Sequence, residues 1–144
     1  MRELVRVAAS MGLRLHCAHL PDDTLGYYAP DEARIYFDMR LTPIERRSVV
    51  AHELGHAHYG HTCSNASTER QAKIYAARLL INARDYAGLE RVNPDQHHLA
   101  EELGVTAELV EIFETYCLTR LRGVTYALPK MGVGQATLAA APAY

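Results

Sequence analysis

The chain has 144 residues, 49% of them hydrophobic and 22% charged, an ordinary globular composition that excludes wholesale disorder, a collagen-like repeat and a long coiled coil. A domain of this size buries about 68–70% of the surface its unfolded chain exposes, so one self-sufficient core is expected. Fifteen basic residues against seventeen acidic ones leave a net charge of −2, which offers no general field for nucleic acid or anionic lipid, and neither is expected as a partner.

Leu4, Val5, Ala8 and Met11 recur at helical spacing, which predicts a short amphipathic helix over the first dozen residues, ended by Gly12. Arg2, Arg6 and Arg14 leave no apolar run long enough for a secretory core or a membrane span. Cys17, Cys63 and Cys117 are odd in number and widely spaced, so neither a disulfide framework nor a thiolate metal cage is suggested, and a cytoplasmic protein is expected. Short β-branched or aromatic runs, punctuated at Pro21-Asp22-Asp23, Gly26 and Pro30-Asp31, predict a small three-stranded sheet over 13–19, 25–29 and 33–38.

Thr42-Pro43-Ile44-Glu45 combines an N-cap threonine, proline at the first helical position and glutamate three residues after the cap, predicting a helix that runs to Tyr59 and stops at Gly60. A polar loop over Ser64–Ser67 precedes a second long helix, with Ala72, Tyr75, Ala76, Leu79, Leu80 and Ala83 on one face and an end near Gly88. Asn93-Pro94 opens a further helix reaching Leu103, and Thr106 caps another whose apolar positions are Leu109, Val110, Phe113, Cys117 and Leu121. Leu99-Ala100 and Leu103-Gly104-Val105 give this pair the hydrophobic frame of a helix-turn-helix. Residues 93–122 hold six acidic residues and two basic ones, however, and Glu108, Glu111 and Glu114 would oppose phosphate, so a structural pair is expected rather than a DNA reader. Past Gly123 the periodicity is lost and an irregular tail is expected.

Four of the eight histidines, His52, His56, His58 and His61, fall within ten positions. His52-Glu53-Leu54-Gly55-His56 is an HExxH motif, and on a helix its histidines project from one face a turn apart, where both can reach one metal ion. Glu53 lies about 100° round the helix from His52, beside the metal, placed to take a proton from activated water as general base. A catalytic zinc takes three protein ligands, and the metzincin pattern fails here, because Tyr59 stands in the place of its glycine and Thr62 in the place of its third histidine. Two candidates remain: His61, bending back after Gly60, and Glu69, thirteen residues after His56 at the opening of the second long helix. Glu69 is favoured, because an antiparallel helix pair would bring it beside His52 and His56. Gly55 supports that packing, since a mid-helix glycine costs about 1 kcal/mol relative to alanine and invites a close-contact reason, with Ala72 and Ala76 as small partners. Zinc is the expected metal, with manganese or iron chemically possible at two imidazoles and a carboxylate.

The run His52 to His61 followed by Glu69-Arg70-Gln71-Ala72 and Leu79-Leu80-Ile81 resembles the ImmA/IrrE family of metallopeptidases, over residues 1–90, and is most similar to short forms from phages and mobile elements. The resemblance implies that His52, His56 and Glu69 hold zinc in a gluzincin-like site and that Glu53 is catalytic. It also implies a minimal α+β zincin in which the small sheet packs on the HExxH helix and a supporting helix, to which the pattern of 93–122 adds a C-terminal helical pair. Lys73 and Asn82 depart from the family's usual Asn or Asp and Pro at those places.

The expected organisation is a zincin-like core over 1–92, an acidic helical pair over 93–122 packed on it within the same domain, and the tail over 123–144. The expected activity is regulatory endopeptidase cleavage of a cytoplasmic protein, with a helix-turn-helix repressor the substrate class the resemblance implies. A substrate polypeptide is expected along an edge strand, with Arg34–Asp38 the candidate because it leads into the HExxH helix. The alternative is a zinc-containing binding module that docks to a regulator without cutting it.

Overall fold

Residues 1–121 and 124–127 are described by a computed structural model, in which the chain divides into two units, Met1–Ala76 and Ala77–Tyr144. Among the described residues are six α-helices, a three-stranded mixed sheet and a two-stranded ribbon, an α+β protein as expected.

In the first unit, α1 (Arg2–Ser10) leads into β1 (Arg14–Ala18), β2 (Gly26–Ala29) and β3 (Arg34–Asp38), followed by α2 (Pro43–Tyr59) and the start of α3 (Ala66–Leu80). The three strands lie where the turn residues place them, but their order is β1-β3-β2, with β1 parallel and β2 antiparallel to β3. The expectation that Arg34–Asp38 offers substrate a free edge is therefore wrong: β3 is central and its backbone groups are used on both sides. The position of a strand along the chain does not determine its place in the sheet.

Side chains alternate across β3. Ile35 and Phe37 are buried, with the Arg46 guanidinium of α2 5.7 Å above the Phe37 ring, whereas Tyr36 stacks between His16 and Tyr27 on the other face. The core beneath the sheet adds Leu4 and Ala8 of α1 and Val50, Ala51 and Leu54 of α2.

The turn between β3 and α2 is held by Asp38, buried at 2% exposure. Its carboxylate accepts from the Leu20 N–H at 3.2 Å, from the Arg40 N–H and Nε at 2.8 Å and from Arg40 Nη2 at 2.6 Å. Arg40 also reaches Asp22 and the Leu20 carbonyl, each at 2.8 Å. These donors, Arg40 first, hold the Asp38 carboxyl well below the usual carboxylate range. Thr42 then starts α2 with the expected capping box, its Oγ1 accepting from the Glu45 N–H at 3.2 Å while Glu45 Oε2 accepts from the Thr42 N–H at 2.9 Å.

In the second unit the predicted single helix ending near Gly88 is two elements: α3 stops at Leu80, and Asn82 caps α4 (Ala83–Val92), its Oδ1 accepting from the N–H groups of Arg84 and Asp85 at 2.9 and 3.2 Å. The apolar period runs across the break, so periodicity alone conceals it, and α4 continues through Gly88. Asp95 caps α5 (Gln96–Leu103), and Thr106 caps α6 (Ala107–Tyr116) as predicted. The helix expected to carry Leu121 ends five residues earlier. Leu121 lies in β4 (Leu118–Leu121), which pairs antiparallel with β5 (Val124–Ala127). Residues 124–127 are thus a strand where an irregular tail was expected, and the rest of 123–144 lies outside the described residues. Leu99, Val105, Val110 and Phe113 are buried, and Tyr86 packs on Phe113 with ring centroids 5.2 Å apart.

Because the carboxylate form of Asp38 is favoured by folding, it contributes stability above its unfolded value of 3.8, and that contribution is lost as the pH falls below it. Urea titrations of wild type and Asp38→Asn should therefore differ in full near neutrality and converge as the pH is lowered below 3.8.

Candidate metal centre

α2 carries His52, Glu53 and His56, and the crossing of α2 with α3 determines what faces them. At Gly55 a Cβ would lie 2.8 Å from Ala72 Cα and 2.9 Å from the Ala72 carbonyl oxygen, so only glycine lets the two backbones approach this closely. The loop that turns the chain is tied by Asn65, whose Oδ1 accepts from the N–H groups of Ser67 and Thr68 at 2.9 and 3.0 Å, while Thr68 Oγ1 accepts from the Asn65 N–H at 2.9 Å. This reciprocal cap starts α3 and leaves Glu69 in its first turn.

The result is a triangle of three ligand-type atoms. His52 Nε2 lies 2.8 Å and His56 Nε2 3.2 Å from Glu69 Oε2, and the two nitrogens are 3.1 Å apart. A tetrahedral ion with ligands at about 2.0–2.2 Å separates its ligand atoms by roughly 3.3–3.6 Å, so a slight opening of the triangle makes it one face of such a shell. The other Glu69 oxygen, Oε1, accepts from the Ser64 hydroxyl at 2.8 Å, which holds the carboxylate with Oε2 inward. Among the described residues this is the one group of three such side chains able to hold an ion.

Burial pushes the pKa of His52 down, assisted by His56 and Lys73, which favours the neutral imidazole a metal requires. For Glu69, partial burial acts upward, but Ser64 and the two histidines outweigh it and bring the carboxyl below its ordinary value. Glu53, 9% exposed, is pushed up to about 7, first by burial and then by the Glu69 carboxylate, while the Tyr28 backbone N–H acts the other way.

That N–H belongs to the outer edge of β2. The Asp38 N–H donates to Leu25 O at 2.9 Å, so by antiparallel alternation Tyr27 and Ala29 face β3, and Gly26 and Tyr28 face outward. Sequence reasoning named His52, Glu53, His56 and Glu69, and the structure brings all four to one place. It missed Ser64, Gln71 and the edge at Tyr28; the Asn65-x-x-Thr68 cap was the readable sign of how Glu69 is presented. His61 lies beside His56 rather than in the triangle, and Cys63 is exposed.

An α+β frame with an HExxH helix facing a glutamate on the next helix defines a protein of zincin type. The Peptidase_M78 family model, described as the IrrE N-terminal-like domain, matches residues 9–113, and the chain belongs to this ImmA/IrrE family of metal-dependent peptidases. No curated protein matches it. A solved structure, a Mycobacterium tuberculosis transcriptional regulator, superposes with a TM-score of 0.61 at 19% identity, over 84% of this chain and 42% of that one. At this identity the likeness is one of fold, and the chain spans less than half of that regulator's length.

Two substitutions test the geometry. Gly55→Ala should cost about 1–3 kcal/mol of stability through overpacking against the α3 backbone and should weaken metal uptake by displacing Glu69. Glu69→Ala should reduce the metal retained after dialysis, measured by elemental analysis, to a small fraction of what the wild-type chain retains, with the thermal unfolding of the metal-free chain little changed.

Proposed function

We propose that the protein is a zinc-dependent endopeptidase of the gluzincin type that cleaves a cytoplasmic regulatory protein, with a helix-turn-helix repressor as the substrate class. The observation that carries this reading is the convergence of His52, His56 and Glu69 beside the buried carboxyl of Glu53. The two imidazoles and the carboxylate would hold the ion. Zinc there would supply Lewis-acid activation of water and of the scissile carbonyl.

Glu53 performs the proton chemistry. As carboxylate it accepts the proton of the attacking water, and as the acid it returns that proton to the departing amine. Burial makes it a stronger proton acceptor than an exposed glutamate, and the Tyr28 N–H keeps the carboxylate aimed. The substrate chain adds to the outward edge of β2 through the Gly26 backbone and the Tyr28 carbonyl, the Tyr28 N–H staying with Glu53, and this extends the sheet by one strand and draws a substrate carbonyl across the HExxH helix. Recognition through backbone groups selects an extended or unfolded segment, which suits removal of a regulator at a linker.

Glu53→Gln keeps size and shape but cannot accept the proton, so cleavage should fall about 10²–10⁴-fold. Incubated with a lysate of its source, the variant should retain a partner whole that wild type converts to defined fragments. A partner retained whole by both proteins would show a binding module instead.

A further inference from the structure

Gly60 ends α2 with φ +65, and the chain closes a Schellman motif in which the Gly60 N–H donates to Ala57 O at 3.2 Å and the His61 N–H to His56 O at 3.0 Å. This turn lays the residue after the glycine against the residue five positions earlier. Such pairs are commonly apolar; here both are histidines, with Nδ1 atoms 2.9 Å apart and rings inclined at 69°.

Two ring nitrogens at that distance share one proton, so one imidazole donates and the other accepts. The direction is determined at the far end of the chain of contacts. His61 Nε2 lies 2.7 Å from Gln71 Oε1, an atom that only accepts, so the proton of His61 is on Nε2 and its Nδ1 is the acceptor. His56 therefore carries its proton on Nδ1. Its Nε2 is left with a lone pair, and this is the atom 3.1 Å from His52 Nε2 and 3.2 Å from Glu69 Oε2.

We infer that His61, held by Gln71, is a positioning residue that fixes His56 in the Nδ1–H tautomer and turns its Nε2 lone pair towards a metal shared with His52 and Glu69. The inference rests on the metal reading of the triangle and adds its outer layer: Ser64 orients the carboxylate ligand, and the Gln71–His61 pair orients one imidazole. His61 is thereby excluded as a third ligand, since both its nitrogens are engaged. Ligand imidazoles generally need such a partner on the second nitrogen, and its loss typically weakens metal binding 10–100-fold.

The test uses the full chain with zinc alone, by competition against a chromophoric chelator, together with long-range ¹H–¹⁵N correlation spectra of the histidines. His61→Phe should weaken zinc binding about 10–100-fold. His61→Asn, whose Oδ1 can take the place of Nδ1 as acceptor, should restore most of that loss. Gln71→Leu, at an exposed position, should weaken binding in the same direction without disturbing the fold. The spectra should show the proton on Nδ1 of His56 and on Nε2 of His61. Wild-type affinity in both His61→Phe and Gln71→Leu, or a proton on His61 Nδ1, would overturn the inference and leave the metal site standing. A wild-type chain that takes up no zinc would overturn the inference together with the reading beneath it.

Discussion

The backbones of α2 and α3 approach closely where position 55 carries no side chain and Ala72 carries only a methyl group. Every other feature of the candidate centre is spaced from that contact. With the helices this close, a carboxylate one turn into α3 reaches the imidazoles on the facing turn of α2, and Oε2 of Glu69 arrives within 3.2 Å of both Nε2 atoms. Glycine inside a helix weakens it by about 1 kcal/mol relative to alanine, and α2 compensates with a full capping box at one end and a Schellman motif at the other. The same helix thus contains its weakest residue and its strongest terminal signals.

Those terminal signals explain why α2 was readable from the sequence. Thr42, Pro43, Glu45 and Gly60 act within a few residues of themselves, so their meaning does not depend on the rest of the fold. The HExxH spacing is equally local, and Glu69 followed because an antiparallel helix pair, supported by the small residues at 55 and 72, would bring it beside the two histidines. The strand order was not readable in this way, since β1 and β3 pair across a gap that contains β2, and nothing in 13–38 states which strand ends in the middle. Asn82 caps α4, yet the apolar positions on either side keep the helical period, and that period masked the break. The ribbon of β4 and β5 was hidden by a continuation of the α6 period into Cys117 and Leu121.

The electrostatics of the centre separate two glutamates by environment. Glu69 receives a hydroxyl and two imidazoles, which favour its ionised form, as the proposed ligand role requires. Glu53, one residue from His52, is buried and is shifted up to about 7, as a group that exchanges protons near neutrality should be. Two neighbouring carboxylates with opposite shifts are a physical division of labour that neither the motif nor its spacing states. The outer contacts continue the division, because Ser64 and the Gln71–His61 pair touch the candidate ligands Glu69 and His56 while the Tyr28 N–H touches Glu53, the proposed proton carrier.

The most direct test of the account is the zinc K-edge absorption spectrum of the loaded chain in solution, which reports the identity and distance of the atoms around the ion. The account predicts two imidazole nitrogens and a carboxylate oxygen at about 2.0–2.2 Å, completed by solvent oxygen. A sulfur at about 2.3 Å, which would bring Cys63 to the metal, or a third imidazole in place of the carboxylate would contradict it.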